Sequence, residues 1–205
     1  MGILNFNIVL LGSNLPVDSI DLSDFSFRHR ELTETLRVPV ALQAEARGVK
    51  LSIFGERFEV AVVDPYDVPK DANHLVEMAT TFFEYVGPRS ITATGHNAQF
   101  TIDGTGDKKA HVQSALMKMD NARDLIGHDI TAADAAFYLK LDAQSVTRMS
   151  IFTRNEGDVV VDFNVNYDRG DLKATEAVQR FPDNLLRISD IVERLGTKLI
   201  EKATA

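Results

Sequence analysis

The sequence predicts an α+β fold, mostly antiparallel sheet with helices on one face, and three observations carry the prediction. Several short segments alternate apolar and polar residues with a period of two. Two segments, 71–86 and 185–199, carry apolar residues at helical spacing instead. The order hairpin, polar loop, amphipathic helix occurs twice along the chain.

Taken in order, Asn5 to Leu11 reads as a strand closed by Gly12-Ser13-Asn14. A turn-rich stretch follows to Phe27, with Val17, Ile20, Leu22 and Phe25 as isolated apolar anchors. Residues 30–36 are expected to form one or two helical turns. Val38, Val40 and Leu42 then alternate as a strand, and Pro39 within it, lacking an N–H, places that strand at an edge. Val49, Leu51 and Ile53 face Phe58, Val60 and Val62 across Gly55-Glu56, a hairpin with glycine where a type II′ turn wants it.

The first helix has Asp71 or Asn73 as candidate N-cap, Leu75, Met78, Phe82 and Val86 on one stripe, and Gly87-Pro88 as its stop. Arg89 to Ile102 reads as a long strand whose apolar phase shifts from odd to even positions, which a bulge at Gly95 would explain. Helices are expected around Val112–Ile126 and Ala132–Leu141, with Thr131 and Asp134 as a capping pair for the second. Thr147, Met149 and Ile151 then alternate, turn at Asn155-Glu156-Gly157, and return through Val159, Val161, Phe163, Val165 and Tyr167. Leu185, Ile188, Val192, Leu195 and Leu199 stripe the last helix, which is expected to cover the protein's own sheet.

Lys50-Leu51-Ser52-Ile53-Phe54 is echoed by Arg148-Met149-Ser150-Ile151-Phe152, each opening a hairpin that leads to a helix. The chain is expected to be a single domain over 1–205, and the echo marks either two similar halves at about 1–88 and 89–205 or a chance local match. The order of elements and the closing Phe181-Pro182-Asp183-Asn184-Leu185-Leu186 segment resemble, in outline, uncharacterised bacterial α+β proteins and the duplicated effector-binding domains of transcription regulators. No specific motif carries that resemblance, so it transfers no site or activity.

Composition narrows the chemistry. The 205 residues include 30 acidic and 22 basic side chains, a net charge of −8, and no cysteine or tryptophan. Without cysteine there is no disulfide framework, thiolate zinc site, iron–sulfur cluster or cysteine nucleophile, and a reducing, cytoplasmic setting is expected. Acids match or outnumber bases throughout the chain, and the nearest basic clusters, Arg28-His29-Arg30 and Lys108-Lys109, are too small for a phosphate-binding surface, so no nucleic acid is expected. The Ile8–Leu11 apolar run is far short of the roughly 20 residues of a membrane span, so no membrane partner is expected either.

No phosphate loop, dinucleotide fingerprint, nucleophile elbow or zinc-protease motif is present, and no cofactor or resident metal is expected. His29, His74, His96, His111 and His128 lack the spacing that puts two imidazoles on one helix face. His96 or His111 with Asp103 or Asp107 has the ligand types for a metal, but capping or surface roles explain them as well. Asp162, Asn164, Asn166 and Asp168 share one face of the last hairpin, about 6.8 Å apart, and could bind a polar ligand or partner or simply be the solvated side of a sheet. His96 and Asn97, beside the expected bulge, complete the set of ligand- or partner-binding candidates; no residue is assigned a catalytic role.

The function these features favour is non-enzymatic: a soluble acidic module, expected to form a homo-oligomer, that binds another protein, a basic one for preference, in an assembly or as an inhibitor. The alternative is a sensor holding a small ligand between the two halves. An enzyme pairing His96 with carboxylates such as Asp162 ranks third, and requires those groups to converge.

Overall fold

A computed structural model describes residues 2–102, 135–153, 159–168 and 173–204. Nine antiparallel strands form one sheet: β1 (Gly2–Gly12), β4 (Thr33–Val38), β5 (Ala41–Ala46), β6 (Val49–Phe54), β7 (Arg57–Val62), β8 (Ile91–Ile102), β9 (Ala135–Leu139), β10 (Val146–Thr153) and β11 (Val159–Asp168). Their spatial order is β4-β5-β6-β7-β1-β8-β11-β10-β9, while β2 (Ser26–Phe27) and β3 (Arg30–Glu31) make a separate small hairpin. The α-helices among the described residues are α1 (Val68–Val86), α2 (Ala174–Gln179) and α3 (Phe181–Thr204). The fold is thus α+β, mostly antiparallel, with the helices packed on the sheet. Among the described residues no helix is long and apolar enough to cross a membrane.

Alternation decides which side the helices cover. Phe6, Ile8 and Leu10 of β1, Phe58, Val60 and Val62 of β7, Ala98, Phe100 and Ile102 of β8, and Val161, Phe163 and Val165 of β11 are buried, in one cluster with the α1 stripe Leu75, Met78 and Phe82 and the α3 stripe Leu185, Ile188 and Val192. Phe82 stacks on Phe58 with ring centroids 4.1 Å apart, and Phe181 meets Phe6 at 5.8 Å. The last helix therefore does cover its own sheet.

The β6–β7 hairpin turns at Gly55, whose φ of +47° is the only positive value in that turn, as type II′ geometry requires. Gly87, with φ of +70°, ends α1. Strand β1 lies at the centre of the sheet and pairs with both β7 and β8. The β6–β7 and β11–β10 hairpins flank the β1–β8 pair on either side, so the Lys50–Phe54 and Arg148–Phe152 echoes occupy strands in matching places along the sheet.

Six expectations need correction. Residues 30–31 and 33–36 are strand, not helix: Thr33 and Thr35 are β-branched, and pairing with β2 and β5 outweighs weak helical propensity. The edge strand is β4, which Val38 closes, and Pro39 lies in the turn to β5. Helix α1 starts at Val68 with Asp67 as N-cap, its carboxylate accepting from the Lys70 amide; Asp71 has a different partner, described below. The register between β1 and β8 is irregular at Leu4, between Ile3 and Asn5, and next to Thr92, where Gly12 faces Ile91 but Leu11 faces Ala93, whereas Gly95 pairs regularly with Val9. The extra residue at Thr92 is what moves the buried set from Ile91 to Thr94 and His96. Residues 135–139 form β9 rather than a helix, and 174–179, expected to be loop, form α2. The expected helix over Val112–Ile126, the Thr131–Asp134 cap and the Asn155–Gly157 turn lie outside the described residues.

Asp71 is buried on the first turn of α1 and holds the β2–β3 hairpin. Arg28 Nε and Nη2 donate to its two carboxylate oxygens at 2.7 and 2.5 Å, and the Tyr66 and Asp67 amides donate at 3.1 and 3.3 Å. The hairpin turn places both Arg28 and His29 in left-handed backbone, φ 51° and 60°, which side chains rarely adopt. The two-pronged Arg28–Asp71 contact helps hold that conformation.

Candidate functional site

The side of the sheet away from the helices carries rows of amides. Register places Asn5 opposite Gln99, Gln99 opposite Asp162, and Asp162 opposite Ser150. One pleat further on, Asn7, Asn97, Asn164, Arg148 and Tyr138 lie side by side across β1, β8, β11, β10 and β9. Asn97 Nδ2 donates to Asn7 Oδ1 at 2.6 Å, and Asn164 Nδ2 donates in turn to Asn97 Oδ1. Asn166 Nδ2 donates to Asn164 Oδ1, Asn5 Nδ2 to Gln99 Oε1 at 3.3 Å, and Asn7 Nδ2 to Glu59 Oε1 at 2.8 Å. Arg57 closes the run by an ion pair with Glu59 at 2.7 Å.

Of the candidates read from the sequence, Asn97, Asp162, Asn164, Asn166 and Asp168 all fall on this side. Asn97, Asp162 and Asn164 are half-buried, and Asn166 and Asp168 are exposed. Burial pushes the Asp162 carboxyl above its ordinary value, and the Arg148 guanidinium acts against that rise. His96 does not join them. It neighbours Asn97 in sequence, and that odd step sends it to the helix-covered side, 1% exposed. His96 and Asp162 consequently lie on opposite faces of the sheet, and the acid–base pairing expected of an enzyme is not formed.

Under α2 and α3 the structure builds a second polar cluster around His96. Asn184 Nδ2 donates to His96 Nδ1 at 3.0 Å and to the Tyr167 hydroxyl at 2.7 Å, spending both amide hydrogens. The Tyr167 hydroxyl donates to Asp142 Oδ2 at 3.0 Å, and Asp142 also accepts from the Gln144 amide at 2.7 Å and from Arg180 at 3.4 Å. Donor directions along this chain make His96 neutral, with its proton on Nε2. Burial pulls the imidazole pKa down to about 3, against weaker opposing pulls from the Ala177 carbonyl and Asp142. Burial pushes Asp142 up, but the Gln144 amide, the Tyr167 hydroxyl and Arg180 outweigh it, so its carboxyl ends below the usual range.

Sequence reasoning selected His96 but missed Asn184, Tyr167 and Asp142. One signal was available: Asn184 falls between Phe181, Leu185 and Ile188 on the buried stripe of α3, where a polar side chain must find a partner. A groove of about 370 Å³ runs along α2 beside Thr175, Glu176, Gln179 and Arg180, at the outer end of the cluster. Among the described residues no group of three or more acidic or histidine side chains could hold a metal ion. His111, Asp103 and Asp107 lie outside the described residues.

Comparison with protein-family models and with curated proteins finds no match to this chain. What the site does therefore has to be argued from its own geometry.

The amide rows are a surface, since their groups bond to each other along the sheet instead of converging on a point. Replacing Asn97 by Ala should show the strength of that network. It strands Asn7 Oδ1 and Asn164 Nδ2 in half-buried positions, so urea titration should show a loss of about 1–2 kcal/mol. A loss below 0.3 kcal/mol, on the order of measurement error, would mean that water replaces these bonds freely.

Proposed function

We propose that this protein works by binding another protein, as a non-enzymatic acidic module of an assembly or an inhibitor, with the amide-lined sheet face as the contact surface. The observation that carries the reading is the hydrogen-bonded run Glu59, Asn7, Asn97, Asn164 and Asn166 across four neighbouring strands. Side chains already fixed to one another lose little further freedom when a partner docks, which lowers the entropic cost of association. A polar surface whose groups are tied to one another also suits a protein partner better than a small molecule, which needs a concave site. The net charge of −8 favours a basic partner, drawn in by long-range attraction.

A small-ligand site between the halves has less support. Where β1 meets β8, backbone pairing runs continuously from Leu11 opposite Ala93 to Asn5 opposite Gln99, and the Asn side chains above it bond to each other. A ligand there would have to displace those bonds.

The experiment is capture on the immobilised full chain at low salt, followed by a salt gradient. A basic protein should be retained and then released as screening increases. The variant Asp162→Asn/Asn166→Lys/Asp168→Asn should lose that retention, whereas Asp18→Asn/Glu77→Gln, altered away from the face, should keep it. Failure to retain any protein, or equal retention by both variants, would overturn the reading.

A further inference from the structure

The sheet has two edges, and they differ in chemistry. At one end β4 carries Glu34 and Arg37, ion-paired at 2.7 Å, has an irregular register between Glu34 and Leu36, and is followed by Pro39. Charges, irregular pairing and proline all discourage another strand from adding to an edge. At the other end β9 reads Ala135-Ala136-Phe137-Tyr138-Leu139, with no charge, glycine or proline. It pairs with β10 in unbroken register over all five residues and, among the described residues, ends the sheet on its other side. Phe137 is 38% and Tyr138 76% exposed. Such a strand is a template for one more.

We propose that β9 pairs antiparallel with β9 of a second copy of this chain, about a twofold axis through Phe137 and perpendicular to the sheet, so that two nine-stranded sheets become one. Three observations choose a second copy as the occupant. The first is size matching: in this register Ala136 faces Tyr138 and Ala135 faces Leu139 of the other copy, so each small side chain meets a large one, and Phe137 meets its own counterpart. Moving the axis to Tyr138 sets Tyr138 against itself and Phe137 against Leu139, and moving it to Ala136 sets Ala136 against itself. Only the register about Phe137 pairs all five residues of β9 and gives each alanine a large partner.

The second observation is facing. Phe137 opposes Met149 of β10 and Tyr138 opposes Arg148, which places them on opposite sides of the sheet. An axis perpendicular to the sheet keeps odd residues with odd, so the helices of both copies lie on the same side. The third is charge. Two chains of −8 repel, and their contact is least costly where acids are absent. Strand β9 has none; of its charged neighbours Arg148 and Lys140 are basic, and the acid Asp134 precedes it in sequence.

This inference is independent of the partner-binding reading, because its test involves only identical chains. The sequence lacks cysteine, so introduced cysteines report on position without background. Sedimentation velocity of the full chain should show a dimer. Under mild oxidation Phe137→Cys should form a disulfide-linked dimer, Tyr138→Cys alone should not, and Ala136→Cys/Tyr138→Cys should link again. Ala136→Lys/Tyr138→Lys sets lysine opposite lysine twice at exposed positions, and should raise the dimer dissociation constant by roughly tenfold or more with the circular dichroism spectrum unchanged. A monomeric unmodified chain, a dimer indifferent to the two lysines, or linking by Tyr138→Cys equal to that by Phe137→Cys would each overturn the proposal.

Discussion

Taking the protein from pH 7.5 to pH 5 should cost about 2 kcal/mol of folding stability through His96 alone. In the unfolded chain the imidazole gains its proton near pH 6.5; in the fold, burial delays that gain to about pH 3. Between those values the unfolded state binds more protons, so stability falls as pH falls, by up to about 1.4 kcal/mol per unit. Above pH 6.5 the loss vanishes. Urea titrations at a series of pH values should reveal the slope, and His96→Phe should remove it while leaving an Asn184 N–H without its acceptor. A slope that survives in His96→Phe, or an imidazole NMR titration centred near 6.5, would show that His96 is not held neutral as described.

Breaking the contact between Arg28 and Asp71 should be the most damaging single change to an ion pair. Asp71→Ala should cost about 3 kcal/mol, the lower end of the range for a buried pair, because the Arg28 side chain retains 28% exposure and stays partly solvated. The double variant Arg28→Met/Asp71→Leu should recover much of the loss, since the unpaired guanidinium is then gone. If the double variant is no better than Asp71→Ala, the cost lies in the hairpin backbone and not in the charge. For Asp71 burial acts to raise the pKa, but the Arg28 guanidinium and the Tyr66 and Asp67 amides prevail, and the net shift is downward. Its stabilising contribution is therefore complete above about pH 4 and lost as pH falls through the folded value. Acid sensitivity that begins near pH 6.5 thus reports His96, and sensitivity that begins near pH 4 reports the carboxylates held low, Asp71 and Asp142, which Asp71→Ala separates.

What the sequence revealed was local. The β6–β7 hairpin was legible because its alternation and its Gly55 turn lie within 14 residues, Val49 to Val62. The apolar stripe of α3 was legible for the same reason. What stayed hidden depends on distant partners. Residues 135–139 carry no period of their own and become a strand because β10 offers an edge. Asp71 resembles a cap until Arg28, 43 positions earlier, is seen to reach it. Thr92 rather than Gly95 takes the irregular pairing because β1 sets the register, and no pattern within β8 records that. The polar row on β11 was visible as a row, but its bonding to Asn97 and Asn7 joins residues 67 and 90 positions apart. His96 and Asn184 are 88 positions apart, and only the polar gap in the α3 stripe hinted at their meeting.

The central position of β1 has a consequence for biosynthesis. Phe6 pairs with Val62 on one side and Ala98 on the other, so a strand made early waits for partners made some 56 and 92 residues later. At bacterial to eukaryotic elongation rates the second wait lasts roughly 5 to 20 seconds. Until β7 is made Phe6, Ile8 and Leu10 have no sheet to enter, and until β8 is made β1 stays an edge. The nascent chain is thus most open to chaperone capture, and to aggregation, before β8 emerges from the ribosome.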